Sequence, residues 1–194
     1  HATLVQGSAV HEAAESCENC HEATATAHPQ KGVKTFKLTD AEPALCANCH
    51  DGLGGKAQVH QPFADGSCTA CHSPHASNTP HLLLKPQREL CSDCHSDPGT
   101  VAHPHGPVEA GDCTACHAPH SSDDKPLLAR KGDALCTECH SDIADLMKAK
   151  KVKHTALDDG CTSCHKPHGG ANPKLLAEAG QALCFQCHDD IADK

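Results

Sequence analysis

The sequence predicts a mostly irregular chain with short α-helices and almost no β-structure, built from four tandem repeats. Two observations indicate this fold class. A unit that begins at residues 161–168 and continues with a second cysteine pair at Cys184 recurs at regular intervals along the chain. The 194 residues include no Trp, no Tyr, three Phe and one Met, so large apolar side chains are too few for an ordinary protein core. Non-protein groups must therefore supply most of the apolar bulk.

Each repeat contains two copies of the pattern Cys-x-x-Cys-His. Two cysteines at this spacing can form thioethers with the two vinyl groups of one porphyrin, and the next histidine then lies beneath the iron, as in c-type haem attachment. All 16 cysteines fall in eight such motifs. They are Cys17, Cys20, Cys46, Cys49, Cys68, Cys71, Cys91, Cys94, Cys113, Cys116, Cys136, Cys139, Cys161, Cys164, Cys184 and Cys187. The motif histidines, predicted as proximal iron ligands, are His21, His50, His72, His95, His117, His140, His165 and His188.

Zinc sites and disulfides are alternative uses of paired cysteines. Neither requires a histidine directly after the second cysteine, yet all eight pairs have one, and 19 histidines exceed the needs of a disulfide scaffold. The predicted cofactor is therefore haem c, with eight covalently attached groups and their iron. We expect four di-haem repeats wrapped around a linear stack of eight haems. The predicted repeats are residues 1–59, 60–102, 103–153 and 154–194.

The first repeat differs from the other three. The first cysteines of its two motifs, Cys17 and Cys46, are 29 positions apart, whereas this spacing is 23 in each later repeat. Thr24 stands where the later repeats have a histidine, and His28 follows four residues later. The first repeat is therefore expected to be longer and atypical.

Short helices are predicted through the second motif of each pair. Across residues 133–148, Cys136, Cys139 and His140 have i, i+3, i+4 spacing, and Ile143 and Met147 continue that face. The first motifs should turn directly into loops, because a proline follows each of them in the last three repeats. These prolines are Pro74, Pro119 and Pro167. Leucine pairs 14 and 15 positions after each first cysteine are expected to pack on porphyrin faces, namely Leu82 and Leu83, Leu127 and Leu128, and Leu175 and Leu176.

Histidines outside the motifs also follow the repeat. One precedes each motif pair and another follows each first motif, which gives the eight sixth ligands that bis-histidine coordination of eight haems requires. The preceding set is His11, His60, His105 and His154, and the following set is His28, His75, His120 and His168. His1, His81 and His103 remain and are predicted to be ordinary surface histidines.

Spacing restricts which haem each distal histidine can serve. His75 lies three residues after His72, so both point in nearly the same direction, whereas two axial ligands must approach iron from opposite faces. His75 must therefore reach a neighbouring haem. We expect His75 to serve the haem of His95, and His60 to serve the haem of His72, with the other repeats following suit.

Charge and hydropathy restrict the partners. The formal net charge is −9, which argues against nucleic acid or anionic lipid as a partner. No apolar run approaches transmembrane length, so no transmembrane helix is predicted. The basic run at residues 148–153 is expected to be a solvated helix end, with a docking patch for an acidic partner as the alternative. Haem attachment to this motif takes place outside the cytoplasm, so we expect an exported protein, extracellular, at the cell surface or periplasmic, whose signal peptide has been removed.

The pattern resembles the multihaem c-type cytochromes with a doubled CxxCH motif, whose signature includes CxxCHxPH and a following LCxxCH. Residues 68–75, 113–120 and 161–168 match the first part, and Leu45, Leu90, Leu135 and Leu183 precede the second cysteine pairs. The resemblance implies electron relay in the cell envelope. Relatives include a cytochrome threaded through outer-membrane porins, and cytochromes that polymerise into extracellular conductive filaments use similar ligation.

Electron transfer is therefore the predicted function, and the chain is not expected to be an enzyme. A multihaem nitrite or hydroxylamine oxidoreductase is the alternative, but it needs an open iron position and acid–base groups near substrate. Every haem here has a candidate sixth ligand, and tyrosine is absent. A storage or shuttle protein is a third hypothesis. The predicted partners are other haem proteins or copies of the chain itself in a homopolymer, with an outer-membrane porin as the alternative.

Overall fold

A computed structural model describes residues 2–24 and 27–191, which form two compact units. The first unit contains the described residues up to Asp93 together with Pro119–Asp123. The second contains Cys94–Ala118 and the described residues from Asp124 onward. Pro119–Asp123, which belongs to the third repeat in the sequence, thus packs within the first unit, while the four-repeat division stays a prediction.

Most of the described chain is irregular and its helices are short, as the sequence predicts. The α-helices of the described residues are α1 (Ala44–Ala47), α2 (Gln61–Ala64), α3 (Gln87–Ser92), α4 (Gly106–Ala110), α5 (Asp133–Thr137), α6 (Ser141–Ala149) and α7 (Gln181–Phe185). Pro62 and Pro107 stand in the first turns of α2 and α4, where a missing backbone N–H costs nothing. Gly111, at φ 77°, ends α4 in the left-handed conformation that glycine adopts without strain.

The second motif of every pair lies on an α-helix, but that helix always ends at the residue after the first cysteine. The helices concerned are α1, α3, α5 and α7. The predicted continuous helix over residues 133–148 is therefore wrong. α5 ends at Thr137, His140 has φ −97° and ψ 54°, and α6 begins at Ser141. The helix ends at the same motif position in all four repeats, although the neighbouring side chains differ. The closure of the motif, and not the local side chains, therefore ends the helix.

The first motif of every pair forms a single 3-10 turn. In each turn the backbone N–H of the second cysteine donates a hydrogen bond to the carbonyl oxygen of the first. These turns are Cys17–Asn19, Cys68–Ala70, Cys113–Ala115 and Cys161–Ser163. The other 3-10 turns of the described residues are Ala2–Val5, Glu12–Glu15, Pro80–Leu82, Thr155–Asp159, Pro173–Leu175 and Asp189–Ile191. The first motifs thus lead straight into loops, as the following prolines predict.

Eight strands of two or three residues form four two-stranded antiparallel sheets in the described part of the chain. They are β1 (Ala9–Val10), β2 (His21–Ala23), β3 (Phe36–Leu38), β4 (Gln58–Val59), β5 (Ala76–Ser77), β6 (His103–Pro104), β7 (Ser121–Ser122) and β8 (Gly169–Gly170). The pairs are β1 with β5, β2 with β3, β4 with β7, and β6 with β8. Except for the β2–β3 hairpin, each sheet joins the segment before one motif pair to the segment after the first motif of the next pair.

A leucine closes the loop that follows each first motif. His72, His117 and His165 form antiparallel bridges with Leu83, Leu128 and Leu176, respectively. In the first repeat His21 pairs with Leu38 at the end of the β2–β3 hairpin, so the extra residues of this repeat are contained in the hairpin. The leucines one position earlier, Leu82, Leu127 and Leu175, all have φ between 57° and 59°. A bulky side chain in this region is a strained exception, and its recurrence in three repeats indicates a required local geometry.

The described residues contain no buried hydrophobic side chain. The buried side chains are those of Thr35, Ser121 and Ser122, and Ser121 Oγ donates a hydrogen bond to the backbone oxygen of Leu53 at 2.8 Å. The aliphatic side chains of the described residues are partly or largely exposed, so these residues form no apolar core of their own. No helix of the described residues is long and apolar enough to cross a membrane.

Candidate haem-binding sites

A backbone hydrogen bond closes six of the Cys-x-x-Cys-His motifs into a single turn. The histidine backbone N–H donates to the carbonyl oxygen of the first cysteine four residues earlier, at 2.9 Å between His50 and Cys46 and at 3.0 Å between His165 and Cys161. The same 3.0 Å bond closes the motifs of His72, His117, His140 and His188. None of the 16 cysteines forms a disulfide. Such a turn presents two thioether positions and one axial ligand to a single porphyrin.

Backbone carbonyls fix the orientation of three motif imidazoles. Nδ1 of His72 lies 2.8 Å from the backbone oxygen of His81. The equivalent distances are 3.0 Å from His117 to the oxygen of Pro126 and 3.0 Å from His165 to the oxygen of Lys174. A histidine that donates Nδ1–H to a carbonyl has its other nitrogen, Nε2, as the metal-binding atom. The loop after each first motif therefore prepares the ring for iron.

Six motif histidines have an imidazole ring paired with that of a second histidine. In every pair one ring belongs to a motif and the other belongs to the predicted distal set. The pairs, with the distance between ring centroids, are His50–His11 at 5.8 Å, His21–His75 at 6.2 Å, His72–His120 at 6.1 Å, His140–His105 at 6.1 Å, His117–His168 at 5.9 Å and His188–His154 at 6.0 Å.

These separations fit two axial ligands of one iron. An imidazole nitrogen lies about 2.0–2.1 Å from a bound metal ion and the ring centroid about 1 Å further, so two imidazoles on opposite sides of one ion have centroids about 6 Å apart. Ordinary ring packing allows a wider spread, of about 4.5–7 Å. The six centroid distances lie between 5.8 and 6.2 Å, and every pair contains one motif ring and one distal ring. Both observations favour bis-histidine coordination of haem iron.

The short sheets position the distal histidines in adjacent pairs. The N–H of His11 donates to the oxygen of His75 at 2.8 Å beside the β1–β5 sheet. In the same way His105 donates to His168 at 3.1 Å beside the β6–β8 sheet. The rings of His11 and His75 face the two motifs of the first repeat, and those of His105 and His168 face the two motifs of the third repeat. One sheet thus carries both of the predicted distal histidines whose rings face the motifs of one repeat.

The β4–β7 sheet follows the same rule, with the N–H of His60 donating to the oxygen of His120 at 3.0 Å. The ring of His120 faces His72 and also lies 5.2 Å from the ring of Phe63. This geometry shows that the expected assignment of His60 to the haem of His72 is wrong, because His120 occupies that side. The expected assignment of His75 to the haem of His95 is also wrong, because His75 faces His21.

The physical reason for this correction is the offset of the sheets by one repeat. A first-motif histidine receives its partner from the next repeat along the chain, through a backbone ladder that spacing alone does not reveal. The related inference, that His75 cannot serve the haem of His72, agrees with the structure. The two residues before each preceding histidine share no sequence pattern across the repeats, and two residues are too short to predict a strand.

The environment favours the neutral form of two distal imidazoles. Burial, followed by the nearby His72 and His60, lowers the pKa of His120. Burial, followed by His117 and His105, lowers the pKa of His168 in the same way. Neutral imidazole is the form that binds metal. The lowered pKa values therefore favour the metal-binding form of the imidazole at these two positions.

Carboxylates tie the second motif of one repeat to the first motif of the next. An oxygen of Asp133, next to Cys136, accepts the backbone N–H of Cys161 at 2.9 Å. Glu42 has the equivalent role before Cys46, where it accepts the backbone N–H of Thr69 at 2.6 Å and its hydroxyl at 2.9 Å. The bonds with Thr69 lower the pKa of Glu42. Both carboxylates thus join motifs that belong to different repeats.

The same contact brings two attachment cysteines together. The thiols of Cys136 and Cys161 and a carboxylate oxygen of Asp133 lie within 4.8 Å of one another. Burial, the Asp133 hydrogen bond and Cys136 raise the pKa of the Cys161 thiol to about 12. Burial and Cys46 raise the pKa of Cys68 to about 11. The attachment points of consecutive motifs in the chain therefore adjoin each other at these two junctions.

The remaining predicted ligands have different surroundings. His28 lies in the hairpin of the first repeat, where its Nδ1 contacts Thr35 Oγ1 and its ring packs edge-on against Phe36 at 4.6 Å. His165 has the carbonyl contact described above, but no histidine ring of the described residues pairs with it. His1 lies outside the described residues, and His81 and His103 are exposed, as the sequence predicts for histidines without a ligand role.

Comparison with known proteins agrees with this geometry. The family described as "Doubled CXXCH motif" matches residues 60–100, 105–145 and 154–193, which together make up more than half of the chain. The first repeat, with its longer spacing and Thr24, lies outside the matched segments. No curated protein matches the chain significantly. The match of three doubled motifs over more than half of the chain means that the chain belongs to the doubled CxxCH family of multihaem c-type cytochromes, which bind haem c covalently.

Proposed function

We propose that the chain is an octahaem cytochrome that carries electrons along a row of bis-histidine haems, and that it acts outside the cytoplasm as one subunit of a homopolymer. The proximity of Cys136 to Cys161, within 4.8 Å, is the observation that carries the electron-transfer proposal. Two haems attached at adjoining points are near neighbours, and electron tunnelling falls steeply with distance. The carboxylate of Asp133 holds this junction closed.

The histidines set the chemistry of each step. The bound haem iron supplies a one-electron couple, and ligation by two histidines favours lower potentials than ligation by histidine and methionine. The Nδ1 contacts of His72, His117 and His165 hold the rings in place, so little reorganisation accompanies a change of oxidation state. With a histidine on each side, an iron held at any of the six paired sites would have no axial position for substrate, which favours electron relay over an oxidoreductase that binds nitrite or hydroxylamine.

Two properties support the homopolymer over a shuttle. The repeats are similar along the chain, so a second copy could continue the row with the same contacts. The polypeptide lacks an apolar core of its own in the described residues, and thirteen large apolar side chains are exposed. A porin–cytochrome conduit remains the alternative assembly.

The test combines mass, voltammetry and microscopy of the native protein. Intact mass should show eight haems per chain, and protein-film voltammetry should show reversible low-potential couples with no catalytic current on addition of nitrite or hydroxylamine. Electron microscopy should show filaments. Fewer haems or a catalytic current would overturn the octahaem relay, and a stable complex with a porin would replace the homopolymer by the conduit.

A further inference from the structure

The loop after the first motif contains a left-handed turn in three of the four repeats. The leucines at this point, Leu82, Leu127 and Leu175, have φ between 57° and 59°. The residue before two of them is left-handed as well, with φ 58° at His81 and φ 57° at Lys174. Residues other than glycine disfavour this conformation, because Cβ then approaches the following carbonyl oxygen. Since the strain recurs at one position, the turn must supply an interaction that a relaxed loop would not.

That interaction is the hydrogen bond to the motif imidazole. In all three repeats the carbonyl group directly before the left-handed leucine accepts Nδ1–H of the motif histidine. The leucine is itself held by the residue after that histidine, with Ser73 N–H donating to Leu82 O at 2.8 Å and Lys166 N–H donating to Leu175 O at 2.7 Å. The angle φ describes rotation about the bond between the leucine N and Cα, so it sets the direction of the preceding carbonyl. The left-handed turn thus aims this carbonyl at the ring.

The first repeat closes the same loop through an extended strand instead. Its Leu38 pairs with His21, and the next residue donates its N–H to Cys20 O at 2.9 Å, as the equivalent residues do in the later repeats. The two residues before Leu38 belong to strand β3, and neither has a positive φ. The ring nitrogens of His21 have no hydrogen-bond partner among the described residues. Where the left-handed turn is missing, the bond to the motif imidazole is therefore missing too.

We propose that the left-handed leucine is a positioning residue that lowers the reduction potential of the haem held by the motif histidine of its repeat. This inference rests on the proposed electron-transfer function and concerns the driving force of its steps. A carbonyl that accepts Nδ1–H raises the basicity of the imidazole, so Nε2 becomes a stronger donor to iron. A stronger donor favours ferric over ferrous iron, and hydrogen bonding around the axial ligand is one of the means by which a protein sets a haem potential. One electron enters on reduction and Nδ1 keeps its proton.

The turn makes the first-motif haems unequal. His21, His72 and His117 provide the comparison, because each of these rings faces the ring of a distal histidine. They differ in the bond at Nδ1, which His72 and His117 have and which His21 lacks. The haem of His21 should therefore have the highest potential of the three. Electrons that enter the chain are then favoured at the first repeat.

A matched pair of variants at His81 separates the backbone conformation from the side chain. His81 is exposed, lies outside the ligand sets and supplies the carbonyl oxygen 2.8 Å from His72 Nδ1. His81→Gly and His81→Val both remove the imidazole, but glycine adopts a positive φ freely, whereas a β-branched residue resists it. In His81→Val the reduction equilibrium constant of the His72 haem should rise about tenfold, which is about 59 mV for a one-electron couple. In His81→Gly it should keep the wild-type value.

The measurement is a redox titration of the haem-loaded protein, followed by NMR with isotope-labelled histidine so that each haem is resolved. The same spectra report hydrogen exchange at the ring nitrogens. In the reduced wild type, exchange of Nδ1–H should be slow at His72 and His117 and fast at His21. His81→Val should make exchange fast at His72 alone and should raise the potential of that haem alone. A purely structural role of the turn would lower the stability of the protein without this paired change at one haem.

Equal potentials of the His72 haem in the two variants would overturn the inference, because the backbone conformation at residue 81 would then have no effect. A wild-type His21 haem with a potential at or below those of the His72 and His117 haems would overturn it as well. This wild-type comparison needs no variant, so it decides the matter even if His81→Val does not fold. Both results would leave the electron-transfer proposal intact, whereas a wild type without reversible one-electron couples would overturn that proposal together with the inference.

Discussion

The imidazole of His75 faces that of His21 at 6.2 Å, although one belongs to the second repeat and the other to the first. The bond between His11 N–H and His75 O, at 2.8 Å, sets this arrangement. A single antiparallel contact thus aligns two distal ligands with two motifs, and the same contact recurs in the third repeat through His105 and His168. Three of the six ring pairs thus join a motif to a histidine of the next repeat, and the other three lie within one repeat.

Replacing a distal histidine should alter one haem and leave the others unchanged. In His168→Met the haem of His117 would gain a thioether in place of an imidazole, and its potential should rise, because methionine ligation favours higher potentials. Spectroelectrochemical titration should show one couple moved upward and the rest unmoved. His81→Asn is the control. A titration curve identical to the wild type would show that His168 is not an iron ligand.

Breaking the carboxylate contact between repeats should destabilise the protein. Asp133→Asn weakens the charge-assisted hydrogen bond to Cys161 N–H, and such bonds contribute about 1.5–3 kcal/mol. We expect the free energy of unfolding to fall by about 1 kcal/mol, since the asparagine oxygen can still accept the bond. Denaturant unfolding of the haem-loaded protein provides the measurement.

The matched control for this change is Asp145→Asn, which removes a carboxylate whose contact is an exposed ion pair with Lys148 at 3.8 Å. Exposed pairs contribute little, so its unfolding midpoint should be almost unchanged. If the two variants lowered the free energy of unfolding equally, the removal of a negative charge, and not the contact with Cys161, would be the cause of the lower stability.

The contribution of Glu42 should depend on pH. The bonds with Thr69 lower the pKa of Glu42 below its usual value of 4.5. A carboxyl group with a lowered folded pKa stabilises the fold above its unfolded pKa, and this contribution is lost as the pH falls through the folded pKa. The melting temperature of the wild type should exceed that of Glu42→Gln by a constant amount above about pH 5.5, and the difference should shrink below about pH 4.5. A difference independent of pH would contradict the assignment.

The polypeptide without haem should not fold. The described residues have no buried hydrophobic side chain, so haem burial must supply the stabilisation that an apolar core normally gives. Apoprotein produced without haem attachment should give a circular dichroism spectrum of an unfolded chain and narrow amide dispersion in NMR spectra. Sharp, dispersed amide signals would refute the prediction.

The local geometry of the sites was predictable because it depends on near neighbours in the chain. The spacing Cys136, Cys139, His140 is that of one closed turn, so the converging side chains follow from the motif itself. The shortage of aromatic side chains likewise predicted the absence of an apolar core, which is a matter of composition. The helix end at Thr137 was not predictable from propensity, because the closed motif overrides the helical pattern that continues to Met147.

The periodic histidines were identified from the sequence alone as candidate ligands, since only repetition is needed to recognise them. Their partners were decided by tertiary structure. Whether His75 faces His21 or His95 depends on a two-residue ladder between Ala9–Val10 and Ala76–Ser77, whose formation depends on backbone hydrogen bonds that carry no side-chain signature. Sequence spacing determines which side chains can bind haem, but long-range backbone pairing selects which two of them meet at one iron.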